Sequence, residues 1–306
     1  MVDFGKNLNL ETIVDPVGNV IIKKPAFKGF ENRKTIVMQS HLDMVHQKNS
    51  DTVFDFDTEG IKMKIDGEWV KAEGTTLGAD NGLGVAAIMS VLASTDIKHP
   101  AIEALFTIDE ETGMTGAMGL QEGYLDGEIL LNLDTEEDDE IDIGCAGGID
   151  ITAKNTYNEV NTPTNSTGFS ISVTGLNGGH SGMDIHRGLG NANKIMNRVL
   201  YEAQEFLRIS EINGGSLRNA IPRESFATIA VYNSRKNAFL KKTKKVIKEI
   251  KDEFKTVDPN LSIEINQIDL PVKVMTTISQ TNLLKALYAA HNGCLLYTSP
   301  SPRDKI

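Results

Sequence analysis

The chain has 306 residues, of which 40% are hydrophobic and 24% are charged, so it is long enough for about two domains with packed cores. Its 42 acidic and 31 basic residues give a formal net charge of −11, which disfavours nucleic acid as a partner. No apolar run reaches the roughly 18 residues that a membrane-spanning helix needs. The start of the chain lacks the pattern of a signal peptide, and two cysteines do not form a disulfide framework. We therefore expect a cytoplasmic protein that binds neither membrane nor nucleic acid.

The first half of the chain alternates strand and helix patterns. A buried helix is predicted over residues 83–92, directly after Asn81 and Gly82. Short β-branched or apolar runs predict strands at residues 20–22, 35–38, 104–108 and 129–133. Strands that alternate with helices are typical of a three-layer α/β domain.

A polar stretch with a proline, residues 155–167, interrupts this rhythm and is interpreted as a linker or crossing loop. After it, strands and amphipathic helices follow in the order βαββαβ, which is typical of a small two-layer α+β domain. These elements are predicted at residues 169–174, 191–207, near Ser216, 226–232, 238–254 and 261–268. One more helix is predicted over residues 281–291. Residues 294–306 have no helix or strand period, and we interpret them as a non-native tail.

His41 and Asp43 lie at the end of a predicted strand. Residues two apart in a strand face the same side. Asp43 is therefore placed to accept the second ring N–H of His41 and to fix the tautomer that binds a metal. The alternative is a polar strand end in contact with solvent.

Asp80 lies between Gly78 and Gly82, which permit a tight turn. An aspartate in this position is also a common helix N-cap, and this motif alone favours the cap.

Further acidic residues follow two later strands. Glu110 and Glu111 come after Asp109, and several buried carboxylates at a strand end are costly without a cation. One of the pair could then bind a metal while the other acts as a general base. Asp134 ends an apolar strand and begins an acidic run, most of which we interpret as a solvated loop. A solvated loop is also the alternative for the Glu110–Glu111 pair.

His180 lies in the glycine-rich loop of residues 178–182, and from this motif alone an ordinary turn is favoured.

The acidic residues and the histidine at the strand ends are expected to lie close together, because parallel strands gather their carboxyl ends at one edge of a sheet. One histidine and several carboxylates could therefore converge there. This is the ligand set of a hydrolytic zinc site.

Longer segments carry a resemblance to a known family. They read SHLDMVHQKN, GTTLGADNGLGVAAIM, TIDEETGMTGAMGL, LLNLDTEE, GCAGG, NGGHSGMDIHRGLGNAN and LRNAIPRE, and the resemblance covers about residues 10 to 293. The chain resembles the zinc-dependent exopeptidase family that contains carboxypeptidase G, the tripeptidases and the cytosolic dipeptidases. The resemblance implies a catalytic α/β domain, of which residues 1–155 are the N-terminal part, and an inserted lid or dimerisation domain at residues 156–293.

The resemblance also implies an activity and its cofactors. The expected reaction is hydrolysis of dipeptides, with Xaa-His or broad specificity, by a homodimer that holds two divalent ions. Zinc is the expected metal, with cobalt or manganese as alternatives. The implied ligands are His41, Asp80 and Asp134 for one ion, and Asp80 and Glu111 for the second, with Asp80 as the bridge.

Other residues receive roles from the same resemblance. Glu110 would be the general base, and Asp43 would support His41. His180 would stabilise the oxyanion or hold the substrate, in many relatives across a subunit interface. Asn219 and Arg223 would contact the backbone or the carboxylate of the substrate.

The sequence departs from the family in two ways. The family has a further zinc-binding histidine beyond the lid, and none of His46, His99, His186 and His291 lies in that context. Family members also begin with additional helical sequence. We therefore expect a chain cut at both ends, with an incomplete catalytic domain and little or no activity as written. Two alternatives remain open, another amide hydrolase of the family (a deacylase or carboxypeptidase) and a metal-binding protein without catalysis. A retained Glu110 argues against the second.

Overall fold

The structure is a computed structural model that describes residues 1–135, 141, 143–144, 149–215 and 217–293. It divides into two compact units, Met1–Ile143 and Gly144–Ile306. The division lies earlier in the chain than the domain boundary that the sequence predicts after residue 155. Cys145, Cys294, the tail and most of the acidic run after Asp134 lie outside the described residues. Within the described part of the chain, no helix is long and apolar enough to cross a membrane.

The first unit is built on a five-stranded sheet with the strand order β1-β2-β6-β3-β7. Its described elements are α1 Val2–Asn7, β1 Glu11–Val14, β2 Val20–Lys24, β3 Ile36–His41, β4 Met63–Asp66, β5 Trp69–Ala72, α2 Ala79–Ala93, β6 Ile102–Thr107, α3 Thr115–Gly119 and β7 Ile129–Asn132. Strand β3 is parallel to β6 and to β7, whereas β2 is antiparallel to both β1 and β6. The sheet is therefore mixed, and the parallel arrangement that the sequence suggested holds for β3, β6 and β7.

The centre of this sheet explains where the functional side chains lie. All six residues of β6 are buried, and four of them are apolar: Ile102, Ala104, Leu105 and Phe106. In the register of β3 and β6, His41 pairs with Thr107, the last residue of β6. The chain that leaves β6 therefore starts beside His41. Apolar clusters cover both faces of the sheet, with Ile22 and Phe106 in one cluster and Ile21 and Leu105 in the other.

The second unit contains an antiparallel four-stranded sheet with the order β10-β11-β9-β12. Its described helices and strands are β8 Glu159–Asn161, β9 Ser166–Thr174, α4 Ala192–Ala203, β10 Leu207–Gly214, β11 Ser225–Tyr232, α5 Lys236–Phe254, β12 Ser262–Ile268, β13 Lys273–Met275 and α6 Thr277–Ala289. The run from β9 to β12 has the predicted order βαββαβ. The predicted class, mixed α/β with an α+β second domain, is confirmed.

Helix α4 and strand β10 of the second unit differ from their predictions. The strand expected near Ser216 is β10, which begins at Leu207, and Ser216 itself lies outside the described residues. Helix α4 correspondingly ends at Ala203, before the predicted end at residue 207. Leu207 continues the apolar period of the helix, but it is a buried strand residue, only 2% exposed. Periodicity alone does not mark the turn between them, because both elements bury the same kind of side chain.

Candidate metal centre and catalytic site

His41 is the residue on which the candidate site is centred. It ends strand β3, and its side chain is only 1% exposed. Its Nε2 lies 3.1 Å from Oδ1 of Asp80 and 3.7 Å from Oδ1 of Asp134. Three parts of the first unit therefore converge as predicted: the end of β3, the start of α2 and the chain that follows β7.

Asp80 does not cap helix α2. The N-cap residue is Gly78, and no side-chain hydrogen bond caps this helix. Asp80 and Asn81 have non-helical φ and ψ angles, and the peptide bond between them is cis. The Asp80 carboxylate is 63% exposed and faces the imidazole of His41. The helix-cap alternative is therefore not what the structure shows.

Asp43 holds two parts of the site together. Its Oδ1 accepts the backbone N–H of Glu110 at 3.1 Å, and its Oδ2 accepts that of Glu111 at 3.0 Å. Nδ1 of His41 lies 2.9 Å from the backbone carbonyl of Asp43 and 3.4 Å from its carboxylate. The nearer partner of the imidazole is thus the carbonyl, whereas the sequence suggested the carboxylate. A proton on Nδ1 leaves Nε2, which faces Asp80, free to bind a cation.

Glu111 is held from a second side as well. Its Oε1 accepts the backbone N–H of Val45 at 3.2 Å. Val45 is fixed in turn by Thr76, whose Oγ1 donates to the Val45 carbonyl at 2.6 Å and accepts the N–H of Gln47 at 3.1 Å. The sequence did not single out Thr76. In the sequence, only its closeness to Gly78 and Asp80 points to Thr76, and that closeness does not predict its contact with Val45.

Among the residues that the structure describes, two groups of side chains have the geometry to hold a cation. In each group, one ligand atom from every member lies within 4.8 Å of the others. The groups are His41 with Asp80 and Asp134, and His41 with Glu110 and Glu111. The first is the ligand set predicted for one ion. The second joins Glu111 to Glu110 and His41, whereas the resemblance joined it to Asp80.

The charges at this site also fit a divalent cation. Burial, together with the negative charge of Asp80, raises the pKa of Asp134 to about 6. Burial and the charges of Asp80 and Glu110 likewise raise the pKa of Glu111. Burial disfavours the charged form of His41, but the surrounding carboxylates outweigh it and raise its pKa. Carboxylates crowded in this way repel one another, and a divalent ion between them would offset that cost.

The predicted substrate residues lie in the second unit. Nδ1 of His180 accepts the backbone N–H groups of Gly182 and Met183, both at 3.0 Å. The loop of His180 is tied to the segment before β11, because the Asn219 carbonyl accepts the N–H of Ser181 at 2.7 Å. Nε of Arg223 donates to the Leu176 carbonyl at 3.1 Å. His180, Asn219 and Arg223 thus belong to one connected group of loops within this unit.

Comparisons with known proteins agree with these features. Residues 165–261 match the M20 peptidase dimerisation domain. The chain is 46% identical over 298 residues to the cytosol non-specific dipeptidase of Escherichia coli (strain K12), covering 96% of this chain and 61% of that protein. It is 45% identical to the aminoacylhistidine dipeptidase of Vibrio alginolyticus, whose crystal structure it matches with a TM-score of 0.55, covering 96% of this chain and 60% of that one.

The chain therefore spans about three fifths of the length of these relatives. The expectation that it is cut at both ends stays a prediction. The similarity itself extends along almost the whole of the chain and includes the segments that carry the candidate ligands. Together with the domain match, it shows that the chain belongs to the M20 peptidase family.

Proposed function

We propose that the protein hydrolyses the peptide bond of dipeptides at a divalent-metal centre in the first unit. The convergence of Asp80, Asp134 and Glu111 around the buried imidazole of His41 is the observation that carries this proposal. The raised pKa values of Asp134 and Glu111 support it, because burial and neighbouring carboxylates cause them and a bound cation would offset both effects. The dipeptidase names of the two relatives support the choice of substrate.

His41, Asp80, Asp134 and Glu111 would hold two divalent ions, with zinc proposed because one imidazole and several carboxylates suit it. Cobalt and manganese are the alternatives. When bound, such ions lower the pKa of water and polarise a carbonyl group. The role of the four side chains is to fix these ions beside the carboxylate of Glu110. Asp43 acts one step further out, through its hydrogen bonds to the backbone of Glu110 and Glu111.

Glu110 is proposed as the general base. Its carboxylate belongs to the group of ligand atoms around His41, and Asp43 fixes its backbone. A carboxylate in this position can accept a proton from the attacking water and pass it to the leaving amine. Glu111 has the same side chain but also accepts the Val45 N–H, which suits a ligand that must keep one orientation.

His180, Asn219 and Arg223 are proposed to bind the substrate. Since Nδ1 of His180 accepts two backbone N–H groups, a neutral ring carries its proton on Nε2. That N–H can stabilise a developing oxyanion. The match to a dimerisation domain supports a homodimer, in which His180 could act on a neighbouring subunit. The word cytosol in the name of one relative supports a cytoplasmic location.

A substrate panel with a ligand variant tests this proposal. The protein is loaded with zinc and assayed on Xaa-His dipeptides, other dipeptides, a tripeptide and N-acyl amino acids. We expect weak turnover of dipeptides, in keeping with the low activity that the sequence predicts, and we expect Asp80→Ala to lose bound zinc by elemental analysis. Asp51→Ala, at an exposed aspartate of the same unit, is the matched control and should keep the metal. Turnover confined to N-acyl amino acids would replace the dipeptidase proposal with a deacylase. Equal zinc in wild type and Asp80→Ala would refute the proposed metal centre.

A further inference from the structure

We propose that Asn19 is a positioning residue for the loop that carries Glu110 and Glu111, an inference that rests on the function proposed for that loop. Asn19 immediately precedes strand β2 and is fully buried. It contributes nothing to the groups of metal ligands. Its side-chain amide instead contacts both ends of the loop that leaves β6.

The amide closes the base of this loop. Oδ1 of Asn19 accepts the backbone N–H of Ile108 at 3.3 Å, and Nδ2 donates to the carbonyl of Gly116 at 2.8 Å. The N–H of Gly116 donates to the Ile108 carbonyl at 3.2 Å. One side chain thus fixes where the loop begins and where it ends, and both glutamates lie between those two points.

The amide also has a fixed orientation. Asp15 is buried, and its Oδ2 accepts Nδ2 of Asn19 at 2.7 Å while its Oδ1 accepts the N–H of Asn19 at 2.8 Å. Rotating the amide by half a turn would place its oxygen against the oxygens of Asp15 and Gly116. The cost of two facing acceptors in a buried place keeps the donor towards Gly116 and the acceptor towards Ile108.

The loop leaves space for this amide and for little else. A Cβ atom on Gly116 would lie 2.4 Å from Oδ1 of Asn19 and 2.5 Å from the Ile108 carbonyl. Within the loop, away from its base, the carboxylate of Asp43 accepts the N–H groups of Glu110 and Glu111. The glutamates are therefore held between an amide at the base of the loop and a carboxylate beside His41. If the contacts at the base are lost, the loop is less constrained, and only the hydrogen bonds to Asp43 still hold the two glutamates in place.

Asn19→Leu tests this role, because leucine has a similar size and neither donates nor accepts a hydrogen bond. Asn19→Asp is the second variant, since it keeps the oxygen that accepts from Ile108 but loses the donor to both Gly116 and Asp15. The matched control is Gln280→Met in the second unit. Gln280 is also a buried amide that joins backbone groups, accepting the N–H of Ile209 at 2.9 Å and donating to the Leu207 carbonyl at 3.3 Å.

Hydrogen exchange in the zinc-loaded protein is the first measurement. In the Asn19 variants we expect the amides of Glu110 and Glu111 to exchange at least about tenfold faster, with β3 and β6 unchanged, because only the loop is released. Dipeptide kinetics are the second measurement. A loop displaced by about 1 Å should lower kcat about 10²-fold while KM changes by no more than about threefold. Gln280→Met should change neither quantity.

The outcomes separate this role from a general loss of stability. Unchanged exchange in the loop, faster exchange throughout the first unit, or an unchanged kcat would each overturn the proposal. If Asn19→Leu does not fold, Asn19→Asp decides by the same criteria. If the wild-type protein hydrolyses no dipeptide, the proposed function fails. The exchange comparison still decides whether Asn19 holds the loop: faster exchange confined to the loop supports that role, and any other result contradicts it.

Discussion

In the described part of the chain, the second unit has one large apolar core, whereas the first unit divides its apolar side chains between two smaller clusters on opposite faces of its sheet. In the second unit, helices α4 and α5 and the four-stranded sheet all contribute to the same cluster. In the first unit, polar side chains occupy the strand ends, among them the buried His41. Stability in the second unit therefore depends on packing distributed over many residues. In the first unit, a few residues of the candidate site carry the electrostatic cost of crowding carboxylates together.

This contrast predicts that a core substitution in the second unit affects stability without affecting the metal centre. Leu200 in α4 is fully buried, so Leu200→Ala should lower the free energy of unfolding by about 2–5 kcal/mol. Urea denaturation measures this loss, and zinc content should stay unchanged. Leu240→Ala is the control, because that side chain is 38% exposed and should cost much less. Equal losses in the two variants would contradict the single-core account.

Overpacking at Gly116 should affect both stability and activity. A Cβ there meets the Asn19 side chain and the Ile108 backbone, so Gly116→Ala should cost about 1–3 kcal/mol. It should also lower kcat, because it displaces the loop of Glu110. Gly60→Ala is the control, since a Cβ at Gly60 has no described atom within 4 Å. Chemical denaturation and steady-state kinetics measure the two effects, and a Gly116→Ala variant that behaves like Gly60→Ala would rule out the tight contact.

The metal-free first unit should become less stable as the pH rises. Asp134 has its pKa raised from 3.8 to about 6, so the folded protein binds its proton more tightly than the unfolded chain does. Between about pH 4 and pH 6 the carboxylate must ionise at a cost, and the free energy of unfolding falls accordingly. Asp134→Asn should reduce this fall in the presence of a chelator, because Glu111 and His41 also have raised pKa values, whereas Asp51→Asn should leave it unchanged. Thermal melts at pH 4.5 and pH 7 measure the difference, and identical pH profiles for wild type and Asp134→Asn would exclude the proposed repulsion.

Surface ion pairs should contribute least. Lys242 and Glu202 lie 2.6 Å apart, with side chains 38% and 45% exposed. A double-mutant cycle should give a coupling energy of about 0.2–1 kcal/mol, reduced by salt. A coupling well above that range would mean that ion pairs, and not the apolar core, stabilise this part of the second unit.

The sequence predicted the second unit well because its periodicity follows its packing. Helix α4 buries Ile195, Met196 and Val199 on the face that the helical period indicates, and the flanking strands alternate in the same way. In the first unit the central strands were predicted from their apolar runs. The ribbon of β4 and β5 was not, because most of its residues are exposed on both sides and give no alternation.

The candidate site was predictable to the extent that strand ends decide it. His41 and Asp134 lie close together because the parallel strands β3 and β7 end at the same edge of the sheet, whereas Asp80 reaches them from the start of helix α2. The contacts of Asn19 were not predictable, because they join residues 89 and 97 positions apart and leave no local pattern. Asp43 contacts the His41 ring through its carbonyl and the loop backbone through its carboxylate, and this arrangement also depends on tertiary geometry. Such supporting contacts appear only once the sheet is assembled.

The most direct test of the account is to separate catalysis from metal binding at Glu110. In a zinc-loaded protein, Glu110→Gln keeps the size of the side chain and the backbone hydrogen bond to Asp43, but removes the base. We expect kcat for a dipeptide to fall about 10²–10⁴-fold, with the zinc content by elemental analysis equal to that of wild type. A kcat within a few-fold of wild type, or a loss of zinc together with activity, would contradict the assignment of Glu110 as the general base beside a metal centre held by other residues.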